Sequence, residues 1–314
     1  YFCLLCAKKM TKFVKLCYNK LDFSKREMRI QQNGAKSHMK QWRGNLALLL
    51  TALIWGFAFV AQSSGMEHMG PFTFQSVRSI LGGISLLPVL AVRSLRRKRE
   101  ATRQSKKTLL IGGVCCGAAL CVASCLQQIG IQFTTVGKAG FITSMYVLLV
   151  PILGLFFHKR VPAKIWGCVA VAAVGLYLLS MSGSFTLSRG DAFCILCAVG
   201  FSIHILVVDH LAPRVDGIAL ACVQFFVSGI LAAVPMMAVE QPTWQAITSG
   251  GAALLYAGVA SCGVGYTLQI IGQRYAEPAP ATLILSLESV FSVLGGILLL
   301  QQIPTLRELF GCLL

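Results

Sequence analysis

From Gly44 onward the chain is a succession of apolar runs, each about as long as a helix needs to cross a bilayer. At 1.5 Å per residue, about 20 residues span a hydrocarbon core of about 30 Å. The runs are Gly44–Gln62, Phe72–Val92, Leu109–Ile131, Lys138–Phe157 and Ala163–Met181. After a polar stretch they resume as Gly190–Val208, Ile218–Val239, Gly251–Gly272 and Ala281–Leu300. A tenth starts near Leu306 and has reached only Leu314 where the chain stops. The expected fold is all-α and integral to the membrane, with ten transmembrane helices, the tenth truncated. Completing it would take about 10–20 further residues.

Charge supports this class and excludes others. Only 12% of residues are charged, against about 25% in soluble domains, too few to cover a water-soluble fold of 314 residues. A net charge of +17 would otherwise point to nucleic acid, but the basic residues sit in tails and short joints between the runs. With the N-terminus cytoplasmic, inner loops hold Arg93, Arg96, Arg97, Lys98, Arg99, Arg103, Lys106 and Lys107. Lys159, Arg160, Lys164, Arg214 and Arg274 follow, while outer joints hold only Lys138, Arg189 and Arg307. This is the positive-inside pattern of a multi-pass protein of the cytoplasmic membrane. The expected partners are a small-molecule solute and the lipid bilayer, not nucleic acid; a homodimer stays open.

The cysteines lie mostly inside apolar runs, where a thiol is a small, soft apolar group. Cys3-x-x-Cys6 and Cys194-x-x-Cys197 lack the second pair a tetrahedral metal site needs, so no metal or cofactor is expected. Residues 1–43 are polar and basic with no sustained apolar period, and carry no signal-peptide pattern. Met39 or Met28 is the expected start, with the preceding residues an upstream leader; N-terminal sequencing of the native protein tests this.

The chain also repeats itself. An offset of 142 positions brings Leu126-Gln127-Gln128-Ile129-Gly130 onto Leu268-Gln269-Ile270-Ile271-Gly272. Without a gap it then pairs Ala139 with Ala281, Ser144 with Ser286, Gly154 with Gly296 and Val161-Pro162 with Ile303-Pro304. A slightly larger offset pairs Gly44-Asn45 with Gly190-Asp191 and Trp55 with Phe201. The halves are 44–181 and 190–314. Five spans per half is odd, so the second half is expected upside down relative to the first. Lys159-Arg160, expected inside, correspond to Gln301-Gln302, expected outside. Inverted repeats are a transporter architecture, with the solute site between halves.

Several segments are similar to a known family: Leu53-Ile54-Trp55-Gly56-Phe57, Val77-Arg78, Thr134 through Ile142 leading into Val150-Pro151, Gly167 to Ser180, and Leu287-Glu288-Ser289-Val290-Phe291. From Gly44 onward the chain resembles the EamA-type permeases of the drug/metabolite transporter superfamily. That family often carries Gly-Glu after its fourth and ninth spans, where this chain has His158-Lys159-Arg160 and Leu300-Gln301-Gln302. It also often has Pro where Ser289 stands. The resemblance implies ten helices and the movement of amino acids, sugars, nucleotide conjugates or other metabolites.

Polar groups at membrane depth are expensive and usually functional. Arg78 lies about 9 Å inside the outer end of span two; it either snorkels to the headgroups or faces the bundle interior. Glu288, too short to snorkel, is either a hydrogen-bonded neutral carboxyl or a group that binds a proton or a substrate amine. His204 reads as a packed histidine or a proton carrier, and Gln127 and Gln269 as interhelical bonds or pathway residues. Arg78, Gln127 and Tyr146 are expected in an outer cluster, and His204, Gln269 and Glu288 in an inner one. Trp55 and Phe201, near mid-membrane, either line a pocket or pack. Pro88, Pro151 and Pro235 free backbone carbonyls inside spans.

No ATP-binding Gly-x-x-x-x-Gly-Lys-[Ser/Thr] loop and no catalytic motif is present, so the expected function is secondary transport, not enzymatic. A channel, or a sensor that binds its ligand without carrying it, is the alternative.

Overall fold

The computed structural model describes residues 34–96, 106–133, 136–156, 162–180, 188–300 and 306–314. The expected leader up to residue 33, the basic joint at 97–105, and Lys159, Arg160, Gln301 and Gln302 lie outside the described residues.

Helices α1 (Gly34–Met66), α2 (Pro71–Arg96) and α3 (Lys106–Phe133) open the fold. Helix α4 comes in two pieces, Val136–Ser144 and Tyr146–Phe156, and α5 is Ala163–Ser180. Helices α6 (Arg189–Leu211) and α7 (Gly217–Pro235) follow, α7 ending in a wider π turn, Met236–Glu240. A short helix, Trp244–Ser249, leads to α8 (Gly251–Gln273). Helix α9 again has two pieces, Pro278–Leu285 and Glu288–Leu300, and α10 is Leu306–Leu313. Among the described residues there is no strand, and eight helices are long and apolar enough to cross a bilayer. Among the described residues helix α5 contributes the shorter apolar stretch Ala163–Gly175. Exposed Ile230, Val234 and Leu298 would be costly in water and suit lipid.

Helix α1 starts at Gly34, ten residues before the apolar run from Gly44, and its membrane-length apolar part is Gln41–Met66. Ala35, Lys36, Met39, Lys40 and Gln41 are good helix formers, so the helix runs on from the apolar run into the polar segment before it. Trp42 there is exposed, as suits an aromatic at the membrane–water interface.

The pieces of α4 and α9 meet at tight turns. In α4, Met145 N donates to Ile142 O at 3.2 Å; in α9, Leu287 N donates to Ile284 O at the same distance. The 142-residue offset superposes these two bonds. Helix α8 departs differently: between α-helical ends, Tyr256–Tyr266 winds as a π-helix. Small residues Gly258, Ser261, Gly263 and Gly265 lie in that stretch, and such widened turns are frequent at functional sites.

Helix starts are capped in two ways. Ser188 and Asp191 form a reciprocal box at α6, and Asp216 Oδ1 accepts from Ile218 N and Ala219 N at α7. The start of α2 is instead capped from the end of α7. Glu240 accepts from Phe72 N at 2.8 Å, Thr73 N at 2.7 Å and the Thr73 hydroxyl at 2.6 Å.

Helix α1 packs on α8 and α9, and α6 on α3 and α4; α2 packs on α8, and α7 on α3. The pairs α2–α7, α4–α9 and α5–α10 also pack on each other. Several crossings depend on glycine. A Cβ at Gly44 would sit 3.2 Å from Gly272 O, and one at Gly190 would sit 2.7 Å from Gly130 O. On the α2–α7 crossing, Gly83 faces the Phe226 ring and Gly229 faces Ile80.

Candidate functional site

The breaks in α4 and α9 place polar groups at mid-membrane. Tyr146 and Glu288 each open the second piece of their helix, ten residues after the first piece begins. Both therefore lie about 15 Å along their spans, half of a core about 30 Å thick. Tyr146 Oη donates to Glu288 Oε1 at 2.9 Å, and Ser144 Oγ to the same oxygen at 3.3 Å. Ser144 and Ser289 share a hydrogen bond of 2.7 Å. Glu288 is 3% exposed and Tyr146 2%. The two hydroxyls converge on one oxygen, which leaves Oε2 without a donor among the described residues.

Arg78 does not snorkel; it is 4% exposed. Its Nε donates to Gln75 Oε1 at 2.7 Å and its Nη1 to Gln62 Oε1 at 3.0 Å. Gln128 Nε2 donates to the same Gln62 oxygen. Gln75 Nε2 donates to Ser79 and Ser228, both at 3.1 Å. The guanidinium also lies 5.6 Å from the Phe74 ring centroid. Both of its acceptors are neutral amides, and among the described residues no carboxylate lies within ion-pair reach.

Trp55, Arg78, Gln127, Tyr146, Phe201, Gln269 and Glu288 line one cavity, with Gln62, Thr143, Ser261 and Tyr266 among the other walls. In place of the two expected polar clusters there is a single chamber. The physical reason is the α4–α9 contact, which joins Tyr146 of the expected outer cluster to Glu288 of the inner one. The cavity has a volume of about 30 Å³, room for one or two waters and far below the roughly 300–1,000 Å³ of a drug-sized ligand site. Trp55 Nε1 and Gln269 Oε1 are buried without a partner.

His204 lies apart from the cavity. It is fully buried, pairs through Nε2 with Gln224 Oε1 at 3.1 Å, and meets the Tyr266 ring edge-on at 5.9 Å. Tyr266 in turn stacks at a tilt on Trp55, centroids 4.6 Å apart. Gln62, Gln75, Gln128, Ser261 and Tyr266 are residues of this site that were not expected from the sequence. Gln75 and Ser79 do sit within one helical turn of Arg78, a spacing at which side chains meet; the others gather only through tertiary packing.

Two matches to the EamA-like transporter family cover residues 42–181 and 188–314. The chain belongs to this family of membrane transporters. An "Uncharacterized transporter" of Archaeoglobus fulgidus is 32% identical over 287 residues, 91% of this chain and 87% of that protein. "Uncharacterized transporter YoaV" of Bacillus subtilis is 23% identical over 283 residues, 86% of this chain and 92% of its own length. A solved structure described as "Crystal structure of protein" superposes with a TM-score of 0.70, at 17% identity, over 86% of this chain and 92% of that one. It supports the fold alone.

Proposed function

We propose that the protein is a secondary carrier of a small metabolite, such as an amino acid or a related solute. It sits in the cytoplasmic membrane with its N-terminus inside, is not an enzyme, and works by alternating access around the cavity between its halves. The observation that carries this reading is the mid-membrane cavity, formed where α4 and α9 break and holding buried Arg78 and Glu288 on opposed halves. Broken helices at mid-membrane are how inverted-repeat transporters build solute sites.

The packing supports an inverted pair of five-helix repeats. Exchanging α1 with α6, α2 with α7, and so on through α5 with α10, turns every major helix contact described above into another one. The same exchange turns the Gly44–Gly272 crossing into Gly190–Gly130, and Gly83–Phe226 into Gly229–Ile80. The cavity is too small for a metabolite as it stands, so loading requires one half to rock against the other. Glu288, the one acid on the cavity wall among the described residues, is the group we assign to a coupling proton.

Saturable solute counterflow in proteoliposomes tests the proposal. Counterflow is expected; tight binding without counterflow would leave a sensor, and single-channel conductance would make it a channel.

A further inference from the structure

Arg78 is a buried cation whose two hydrogen-bond acceptors are both neutral amides. An unpaired charge in a low-dielectric interior is strongly disfavoured, yet this guanidinium is held by two amide oxygens and neutralised by neither. Those amides are fixed in turn: Gln62 by Gln128, and Gln75 by Ser79 and Ser228. Arginine has five N–H donors. The two bonds occupy Nε and one position on Nη1, so three donors remain on a side chain that lines the cavity. A planar fork with paired donors matches a carboxylate.

The second half of the chain provides an internal control. Offsets of 146 and 142 carry Arg78 to Gln224, Gln62 to Val208, Gln75 to Ala221 and Gln128 to Ile270. The half without the arginine also lacks the three glutamines that hold it. Buried glutamines are costly unless bonded, so their presence in one half alone ties them to the guanidinium.

We infer that Arg78 is a carboxylate-binding subsite and that the solute is an organic acid bearing a single carboxylate and an apolar body. This rests on the reading of the cavity as a solute site. Among the described residues the walls carry one guanidinium and no second cation, which suits a monoanion rather than a phosphate dianion. Trp55 and Phe201 on the same walls suit an apolar body. Simple carboxylates and amino acids share the chemistry that Arg78 recognises, and they differ at Glu288. An amino acid would place its ammonium against the carboxylate, whereas a simple acid would leave that group to the proton.

The test is thermal stability of the full chain in detergent against sets of ligands that share one body. One such set is indole-3-propionate, tryptophan, tryptamine and 3-indolepropanol; phenyl and short aliphatic sets extend it. Carboxylate-bearing members are expected to stabilise the protein, and the amine and alcohol are not. Gln62→Leu, which keeps the arginine but removes its acceptor, is expected to weaken that binding about tenfold or more, the scale of one hydrogen bond to a charged group. Arg78→Gln should abolish it.

Stabilisation by both the simple acid and the amino acid supports the subsite and leaves Glu288 to the proton. Stabilisation by the amino acid alone also supports it and places the ammonium at Glu288. Equal stabilisation by the alcohol or amine overturns the inference, as does no stabilisation by any carboxylate across the sets. Equal carboxylate binding in Gln62→Leu and wild type would remove the glutamine from the subsite and overturn its positioning role. Carboxylate binding without counterflow would instead defeat the carrier reading and leave the subsite standing.

Discussion

At four repeat-related places the first half of the chain has Trp55, Arg78, Gln127 and Tyr146, and the second has Phe201, Gln224, Gln269 and Glu288. All but Gln224 line the cavity. Around them the glycine contacts are kept in kind, with Gly44 against Gly272 in one half and Gly190 against Gly130 in the other. Where two backbones must nearly touch, the halves agree; where side chains face the chamber, they diverge into a cation on one side and an acid on the other. On the carrier reading proposed above, a symmetric scaffold would let the halves exchange roles in a rocking motion. An asymmetric lining would give an organic acid one preferred orientation between Arg78 and Glu288.

The largest effect should come from the acid. Glu288→Gln keeps an oxygen for the Tyr146 hydroxyl, so the fold is expected to survive. Accumulation driven by a pH gradient should vanish while counterflow persists; gradient-driven accumulation in the variant would remove Glu288 from the coupling.

Glycine contacts come next. A Cβ at Gly56 would lie 2.4 Å from Phe291 Cβ and 2.8 Å from Glu288 O, so Gly56→Ala must push α1 off α9. Overpacking of this kind costs about 1–3 kcal/mol, read as a lower melting temperature. The repeat mates Gly44→Ala, 3.2 Å from Gly272 O, and Gly190→Ala, 2.7 Å from Gly130 O, should lose similar amounts to each other if their two crossings are equivalent. A wild-type melting temperature for either variant would break the matched-scaffold half of the comparison.

Glu240→Gln tests a place where the halves differ outside the cavity. The α2 start borrows its cap from α7, whereas the α7 start is capped locally by Asp216. Loss of a cap costs about 1 kcal/mol, and the expected sign is destabilising. Gly167→Ala is the smallest effect and of opposite sign. Nothing lies within 4 Å of its Cβ position, so the helix preference of Ala over Gly should stabilise by about 0.5–1 kcal/mol.

Much of the fold was legible because hydropathy reads composition, and the apolar runs coincide with the eight long helices. It does not read hydrogen-bond ring size. The π winding of Tyr256–Tyr266 and the breaks at Met145 and at Ser286 and Leu287 leave the apolar pattern intact, so span eight and the two-piece helices read as plain runs. The extension of α1 before its apolar run shows the converse, since Lys36 and Lys40 end the apolar pattern without ending the helix. Around the site, charge at depth singled out Arg78 and Glu288. Gln62 and Gln128 carry no charge and match no motif, and they meet Arg78 only when α1, α2 and α3 are packed. His204 follows the cavity residue Phe201 by about one helical turn but pairs with Gln224 behind Tyr266, a distinction that position along the chain does not express.

The most direct test of the carrier reading is two-sided labelling at Ser261, a cavity residue that is 3% exposed. Ser261→Cys in a background with the 13 native cysteines replaced would be treated with a membrane-impermeant maleimide from either face of oriented vesicles. Alternating access predicts slow labelling from both faces, with solute shifting the balance between them. Labelling from one face alone, unchanged by any solute, would contradict it.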